Sequence, residues 1–286
     1  MDFGIVCFPT DTSIEPQDLA PGMEERGFES LFYAEHTHIP TSRRSPFIGG
    51  GDLGAMYWHC HDQFIALTMA AATTKTLKIG TGVTLVPQHH PINLAKATAS
   101  LDNFSGGRFI FGIGAGWNAE EMEDHGTAYK DRWKITRERM LAIREIWNND
   151  EPQFHGDFVD FDPMWCWPKP TQAGGPPVIM GAYSKYVPAR IAEYCDGWMP
   201  IEGLLQDIPE ALSDIHEAMR KRGRDPASLD ITVLAEVKQQ DGFDPDRLKR
   251  MIDVGANRVL LPLADLPRDG SLKVLDDYAE MIAKLS

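Results

Sequence analysis

A chain of 286 residues with 28 Lys+Arg against 42 Asp+Glu carries a formal net charge of −14, and 43% of its residues are hydrophobic. That balance excludes a nucleic-acid binder, which needs a basic stripe to neutralise phosphates, and leaves enough apolar material for a substantial core. No apolar run approaches the roughly 20 residues that span a bilayer, and the opening residues lack the basic-then-apolar pattern of a secretion signal.

The expectation is therefore a cytoplasmic protein with no membrane partner, an enzyme or a small-molecule binder. Cys7, Cys60, Cys166 and Cys195 have no CxxC spacing and read as free thiols.

Short apolar runs alternate with amphipathic helical patterns along the whole chain. Residues 2–8 read as a first strand, followed by a helix ending near Arg26-Gly27, and residues 28–35 as a second strand. Asp62 is an N-cap candidate for a helix with Phe64, Leu67 and Ala71 on one face. Residues 77–85 form a third strand, and Pro91 opens a helix carrying Leu94, Ala97, Leu101 and Phe104. The turn Ser105-Gly106-Gly107 leads into a fourth strand at 108–113, and Trp133, Met140, Ile143 and Trp147 line the next helix. Strands follow at 177–181, 197–201, 229–237 and 258–261. Helices are expected over 185–194, along Leu205, Ile208, Leu212, Ile215 and Met219, from an Asp244-Pro245 cap, and along Leu272, Leu275, Ala279 and Ile282.

Eight strands, each followed by a helix, is the arithmetic of an α/β (β/α)8 TIM barrel, and one barrel domain over 1–286 accounts for the length. A doubly wound sheet is the competing arrangement, but Cys7-Phe8-Pro9-Thr10 stands where its Gly-rich turn belongs. Two inserted regions interrupt the alternation. One follows strand 2 (36–61); the other follows strand 4 (114–133), with a hairpin at 154–161 and the segment 165–168. Ordered loops of this length cover sites or make interfaces.

A barrel places its chemistry at the C-terminal ends of its strands, which selects Cys7 and Phe8, Glu35 and His36, Gly82 and Val83, Gly114 to Trp117, Gly181 to Ser184, and Met199 and Pro200, with Glu236 and Pro262 completing the ring. The histidines do not make a metal site, because the first strand carries no His-x-His and later strand ends offer no second ligand set. His36 directly follows Glu35, and an acid–His pair there can move a proton near neutral pH; the alternative is a hydrogen-bonded structural histidine. Gly80-Thr81-Gly82-Val83 and Gly112-Ile113-Gly114-Ala115-Gly116-Trp117 suggest a planar ring pressed on backbone at two neighbouring strands. Gly181-Ala182-Tyr183-Ser184 before Lys185 suits a phosphate at a helix N-terminus, or is an ordinary loop.

In this order and spacing, the chain resembles the luciferase-like monooxygenase superfamily, in its branch that uses the deazaflavin coenzyme F420. The residues that carry the likeness are Gly27-Phe28-Glu29-Ser30-Leu31, Glu35-His36-Thr37-His38-Ile39-Pro40, Gly80-Thr81-Gly82-Val83 and Leu101-Asp102 with Ser105-Gly106-Gly107-Arg108. Gly112-x-Gly114-x-Gly116-Trp117-Asn118, Trp167-Pro168-Lys169-Pro170 and Asp196-Gly197-Trp198 complete it.

The resemblance implies a barrel with an inserted region, a ring lying over the end of strand three, and a non-prolyl cis peptide at Gly82-Val83. It further implies Glu35 and His36 as the acid–His pair near the reactive ring face, and cofactor contacts at Gly82, Val83, Ala115, Gly116, Trp117, Asn118, Gly181, Ala182, Tyr183 and Ser184. Sugar-phosphate dehydrogenases of this family carry an acid where this chain has Trp117, so the same alcohol oxidation is not implied. Trp117 is left to stack on ring or substrate, or to fill the barrel mouth.

The activity implied is hydride transfer between F420 and a small organic substrate. The alternative is an FMN monooxygenase served by a separate flavin reductase, and an alternative of another class is a flavin-binding barrel without turnover. A flavin or F420 reductase supplying reduced cofactor, and a homodimer with Trp165 and Trp167 as contacts, are the partners implied. Arg43 and Arg44 stand out against the acidic background as contacts for an anionic cofactor tail, or as solvated surface arginines.

Overall fold

The computed structural model describes residues 1–47, 50–236 and 245–285. Eight parallel strands close on themselves. In sequence these are β1 (Asp2–Cys7), β2 (Ser30–Tyr33), β3 (Lys78–Thr81), β5 (Phe109–Gly114), β8 (Val178–Met180), β9 (Gly197–Trp198), β10 (Asp230–Leu234) and β11 (Arg258–Pro262). β1 pairs with both β2 and β11, and β3 pairs with β5, which completes the ring. The short β4 (Thr84–Leu85) continues β3 along β5, while β6 (Phe154–His155) and β7 (Asp160–Phe161) form the expected hairpin apart from the barrel.

The helices are α1 (Pro16–Glu25), α2 (Gln63–Thr73), α3 (Pro91–Phe104), α4 (Ala119–Asp124) and α5 (Arg132–Asn148), then α6 (Val187–Tyr194), α7 (Ile208–Lys221), α8 (Pro245–Asp253) and α9 (Arg268–Ala283). Asp62 Oδ1 accepts from Ile65 N at 2.9 Å and caps α2 as expected. The expected Asp244 cap and the end of the seventh strand at Val237 lie outside the described residues. None of the described helices is long and apolar enough to cross a membrane.

The apolar side chains sort into two layers because strand residues alternate faces. Ile5, Leu31, Phe109 and Phe111 face outward and join α1, α2, α3 and α5 in the main core, while Val6, Phe32, Ile110, Ile179, Met199 and Leu260 fill the barrel interior. One expectation fails on α3. Phe104 is 73% exposed, and Asp102 is fully buried instead, accepting from Gln172 N at 2.9 Å and Gln172 Nε2 at 2.6 Å. The buried carboxylate there holds the loop before β8, and the phenyl ring is left outside.

The bottom of the barrel is tied by charge. Arg258 Nε and Nη2 donate to Glu29 at 2.8 and 3.0 Å, and Nη1 donates to Thr232 Oγ1 at 2.9 Å and to Asp230. Burial alone would raise the Glu29 carboxyl, but Arg258 and Lys78 hold it down to about 2. Glu24 is likewise held at about 2, against desolvation, by the amides of Thr76, Leu77 and Lys75.

A carboxyl depressed in the folded state contributes stability above its ordinary value of about 4.5 and loses it as pH falls toward about 2. Stability from chemical denaturation is therefore expected to fall steeply from pH 5 to pH 2, and Glu29→Gln is expected to flatten that slope while costing about 3 kcal/mol at pH 7. An unchanged slope in the variant counts against this assignment.

Candidate active site

At the C-terminal end of the barrel, His36 lies three residues beyond β2 and is buried beside α4. His36 Nδ1 donates to Glu121 Oε2 at 2.8 Å, and Thr37 N donates to the other oxygen of Glu121 at 3.3 Å. Glu121 is itself fully buried. A carboxylate on Nδ1 fixes the ring's orientation and tautomer, which leaves Nε2 as the nitrogen that can take up or release a proton.

Asn118 secures this arrangement from below. Its Oδ1 caps α4 by accepting from Glu121 N at 3.2 Å, which fixes this buried residue at the start of the helix. Asn118 and Glu121 have the spacing of a capping box, but the glutamate turns away from its own helix end to reach His36.

Glu35 and His36, adjacent in sequence, are separated by the fold. Glu35 Oε2 accepts from Leu85 N at 2.6 Å, and its Oε1 pairs with His89 Nε2 at 2.8 Å. Burial opposes a charged His89, yet the Glu35 charge and hydrogen bond outweigh it and raise the imidazole's pKa. The carboxylate that sequence placed beside His36 as its partner thus clamps β4 to the end of β2. Glu121, 85 residues along the chain, takes that place.

Aromatic rings wall the histidine. Tyr57 lies 5.2 Å from the His36 ring and Trp117 6.0 Å, edge-on; Phe8 packs on Tyr57 at 4.7 Å, and Phe47 touches both Tyr57 and Trp117. The first long insertion delivers Phe47 and Tyr57 and is fastened to α4. Ser45 Oγ donates to Glu120 Oε2 at 2.5 Å, Ala119 N donates to Ser45 Oγ at 2.9 Å, and Arg44 pairs with Glu123 at 2.9 Å. Despite the cost of burial, the hydroxyl and amide of Ser45, with the backbone amides of Glu120 and Arg44, hold the Glu120 carboxyl at about 2. Arg44 thus pairs with an exposed carboxylate of α4.

At the same end of the barrel opens a cleft of about 200 Å³, bordered by Gly82, Val83, Gly181, Ala182, Met199 and Leu234, with Tyr183 at its rim and no charged side chain in its lining. The Gly82-Val83 peptide is cis, as the resemblance implies. Val83, Met199 and Leu234 also pack on the barrel interior, so the cleft floor is the top of the inner core. Ala115 is buried, and Gly116 turns the chain into α4 with φ 78°.

Ser184 stands outside this cleft. α6 begins at Val187, later than expected, and Ser184 Oγ accepts from Tyr186 N at 3.3 Å. Together with Tyr183 and Lys185 it lines a second cleft whose opposite wall carries Asp207, Glu210 and Asp214. Those carboxylates disfavour a phosphate in that cleft.

All four cysteines are free thiols. Burial pushes the Cys60 thiol up to about 12 and the Cys7 thiol higher still, so neither is a nucleophile at neutral pH. No group of His, Cys, Asp or Glu among the described residues could hold a metal ion.

The model of the luciferase-like monooxygenase family matches residues 1–241. The chain belongs to that family. An uncharacterized protein of Mycobacterium tuberculosis is 34% identical over 286 residues, covering 99% of each chain. The F420-dependent glucose-6-phosphate dehydrogenase of Nakamurella multipartita is 28% identical over 246 residues, 84% of this chain and 66% of its own. Among solved structures, an F420-dependent secondary alcohol dehydrogenase in complex with an F420-acetone adduct superposes with a TM-score of 0.79, at 18% identity, over 100% of both chains. That likeness shows the shared luciferase-like barrel, and the family places the chain among oxidoreductases.

Proposed function

We propose that this luciferase-like protein is an F420-dependent oxidoreductase that moves a hydride between the deazaflavin and a small organic substrate. The observation that carries the reading is the buried His36–Glu121 pair at the same end of the barrel as a charge-free cleft.

The cleft suits the edge of a flat, uncharged heteroaromatic ring. Its lining is apolar, and the backbone at Gly82 and Gly181 offers no long side chain to hold the ring away. Gly82, Val83, Ala182 and Met199 would hold such a ring, with Trp117 and Tyr57 screening the site from water. When bound, a deazaflavin supplies or accepts a hydride and reacts poorly with oxygen. His36 Nε2 exchanges the accompanying proton with the substrate oxygen, and Glu121 keeps the ring oriented and balances its charge while it is protonated.

The 28% identity to an F420-dependent dehydrogenase favours the deazaflavin over FMN. Fluorescence titration of the purified protein with F420 and with FMN tests the reading. Micromolar binding of F420 and much weaker binding of FMN is the expected result. FMN binding without F420 binding overturns it in favour of a flavin monooxygenase, and binding of neither leaves a barrel without this cofactor.

A further inference from the structure

The rings around His36 are built on the Gly82-Val83 end of the charge-free cleft. A Cβ at Gly82 would lie 3.3 Å from Phe32 Cβ and 3.4 Å from Val6 Cγ2, and one at Gly114 would lie 2.7 Å from Val83 Cγ2. Phe8 follows Val6 by two residues past the end of β1, and His36 follows Phe32 by four past the end of β2, so strand alternation sets both on the inward side. Phe8 stacks on His36 with ring centres 6.5 Å apart. Trp117 follows Gly114 by three residues, a reach of about 10 Å.

Phe8, Phe47, Tyr57 and Trp117 are each half-buried, so every ring keeps an uncovered part. Uncovered aromatic surface gathered in one concave place is a surface for a ligand. The polar groups of these rings are neutral donors. Among the described residues neither the Tyr57 hydroxyl nor the Trp117 indole N–H makes a hydrogen bond. Burial raises the Tyr57 pKa, which keeps that hydroxyl protonated.

The fixed charge beside the rings is negative. Glu121 is buried against His36 and balances it when it is protonated. Among the described residues no lysine or arginine pairs with Glu121 or lies over any of the four rings. A carboxylate or phosphate at His36 would meet Glu121 in a poorly solvated place with no cation to offset the repulsion. An uncharged ligand avoids that cost, and neutral donors suffice for its oxygen.

We infer that this mouth takes an uncharged, ring-bearing carbonyl compound or the matching alcohol, its ring against Phe8, Phe47, Tyr57 and Trp117 and its oxygen at His36 Nε2. The inference rests on the oxidoreductase reading above and names the substrate class of that same site. In the reducing direction the carbonyl carbon gains a C–H bond from the hydride of the reduced deazaflavin, and the C=O electron pair moves to oxygen. The new O–H bond takes its proton from His36 Nε2, which regains one from solvent. The deazaflavin is oxidised by two electrons and releases its second hydrogen as a proton.

Calorimetric titration of the purified protein, without cofactor and again with F420, tests this with four ketones. Acetophenone and acetone differ in the ring; 4-acetylbenzamide and 4-acetylbenzoate share a shape and differ in charge. Acetophenone is expected to bind about tenfold or more tightly than acetone, and the amide about tenfold or more tightly than the carboxylate. F47A is expected to lose about fivefold or more of the preference for acetophenone, and F47L, which keeps an apolar side chain there, should retain part of it. Equal binding of acetone and acetophenone, equal binding of the amide and the carboxylate, or binding of no ketone in either condition overturns the substrate class. Ketone preferences in a protein that binds neither F420 nor FMN uphold the pocket and overturn the cofactor reading alone.

Discussion

Replacing His36 with alanine is expected to lower turnover about 10²- to 10⁴-fold, the range a positioned acid–base group contributes, while cofactor affinity stays within about twofold. The argument is geometric. His36 is buried, bound through Nδ1 to Glu121 and enclosed by Tyr57 and Trp117, so its remaining nitrogen is the titratable group presented to the mouth.

Glu121→Gln keeps the size of the partner but removes its charge, and is expected to lower kcat about 10- to 100-fold with KM little changed, as loss of an orienting carboxylate does at comparable histidines. Glu35→Gln separates the two acids. Because Glu35 bonds Leu85 N and His89, its loss should cost stability, about 2 kcal/mol, more than turnover. Steady-state kinetics and thermal melting on the three variants check this. Full activity of His36→Ala removes the histidine from the chemistry, and an inactive but fully stable Glu35→Gln restores the sequence-adjacent pair.

The barrel was legible because its signals are local and repeated. Runs such as Phe109–Gly114, buried along their whole length, and amphipathic faces such as Ile208, Ile215 and Met219 follow from strand and helix periodicity alone. His36 was legible from topology, since it falls at a strand end. Its partner was not, because the choice between Glu35 and Glu121 depends on where the chain after β5 folds back. Only the Asn118-x-x-Glu121 spacing hinted at a helix there.

The aromatic wall was hidden for the same reason, since Phe47 and Tyr57 come from an insertion without periodicity. Arg43 and Arg44 show how charge misleads in one dimension. Two adjacent arginines stand out in an acidic sequence, yet one of them pairs with Glu123.

Gly112→Ala is expected to be the most destabilising single substitution in the barrel wall, costing about 3 kcal/mol or more. A Cβ at Gly112 would lie 1.8 Å from the Thr81 carbonyl oxygen, and Thr81 Oγ1 already donates to Gly112 O at 2.6 Å. The obstacle is backbone on the neighbouring strand, so relief requires β3 and β5 to part, which breaks the ring of strands. Gly114→Ala meets a different neighbour, Val83 Cγ2 at 2.7 Å, a side chain that can move where backbone cannot. Val83 borders the cleft, so its shift should combine a loss of about 1–2 kcal/mol in stability with about a tenfold loss of cofactor affinity.

The glycines that look in sequence like a platform for a flat ring are thus first a means of admitting Thr81 and Val83, and through Val83 they shape the cleft. Thermal melting and cofactor titration of the two alanine variants separate these roles. A stable Gly112→Ala that merely fails to bind cofactor would show that the glycine serves the ligand and not the strand pairing.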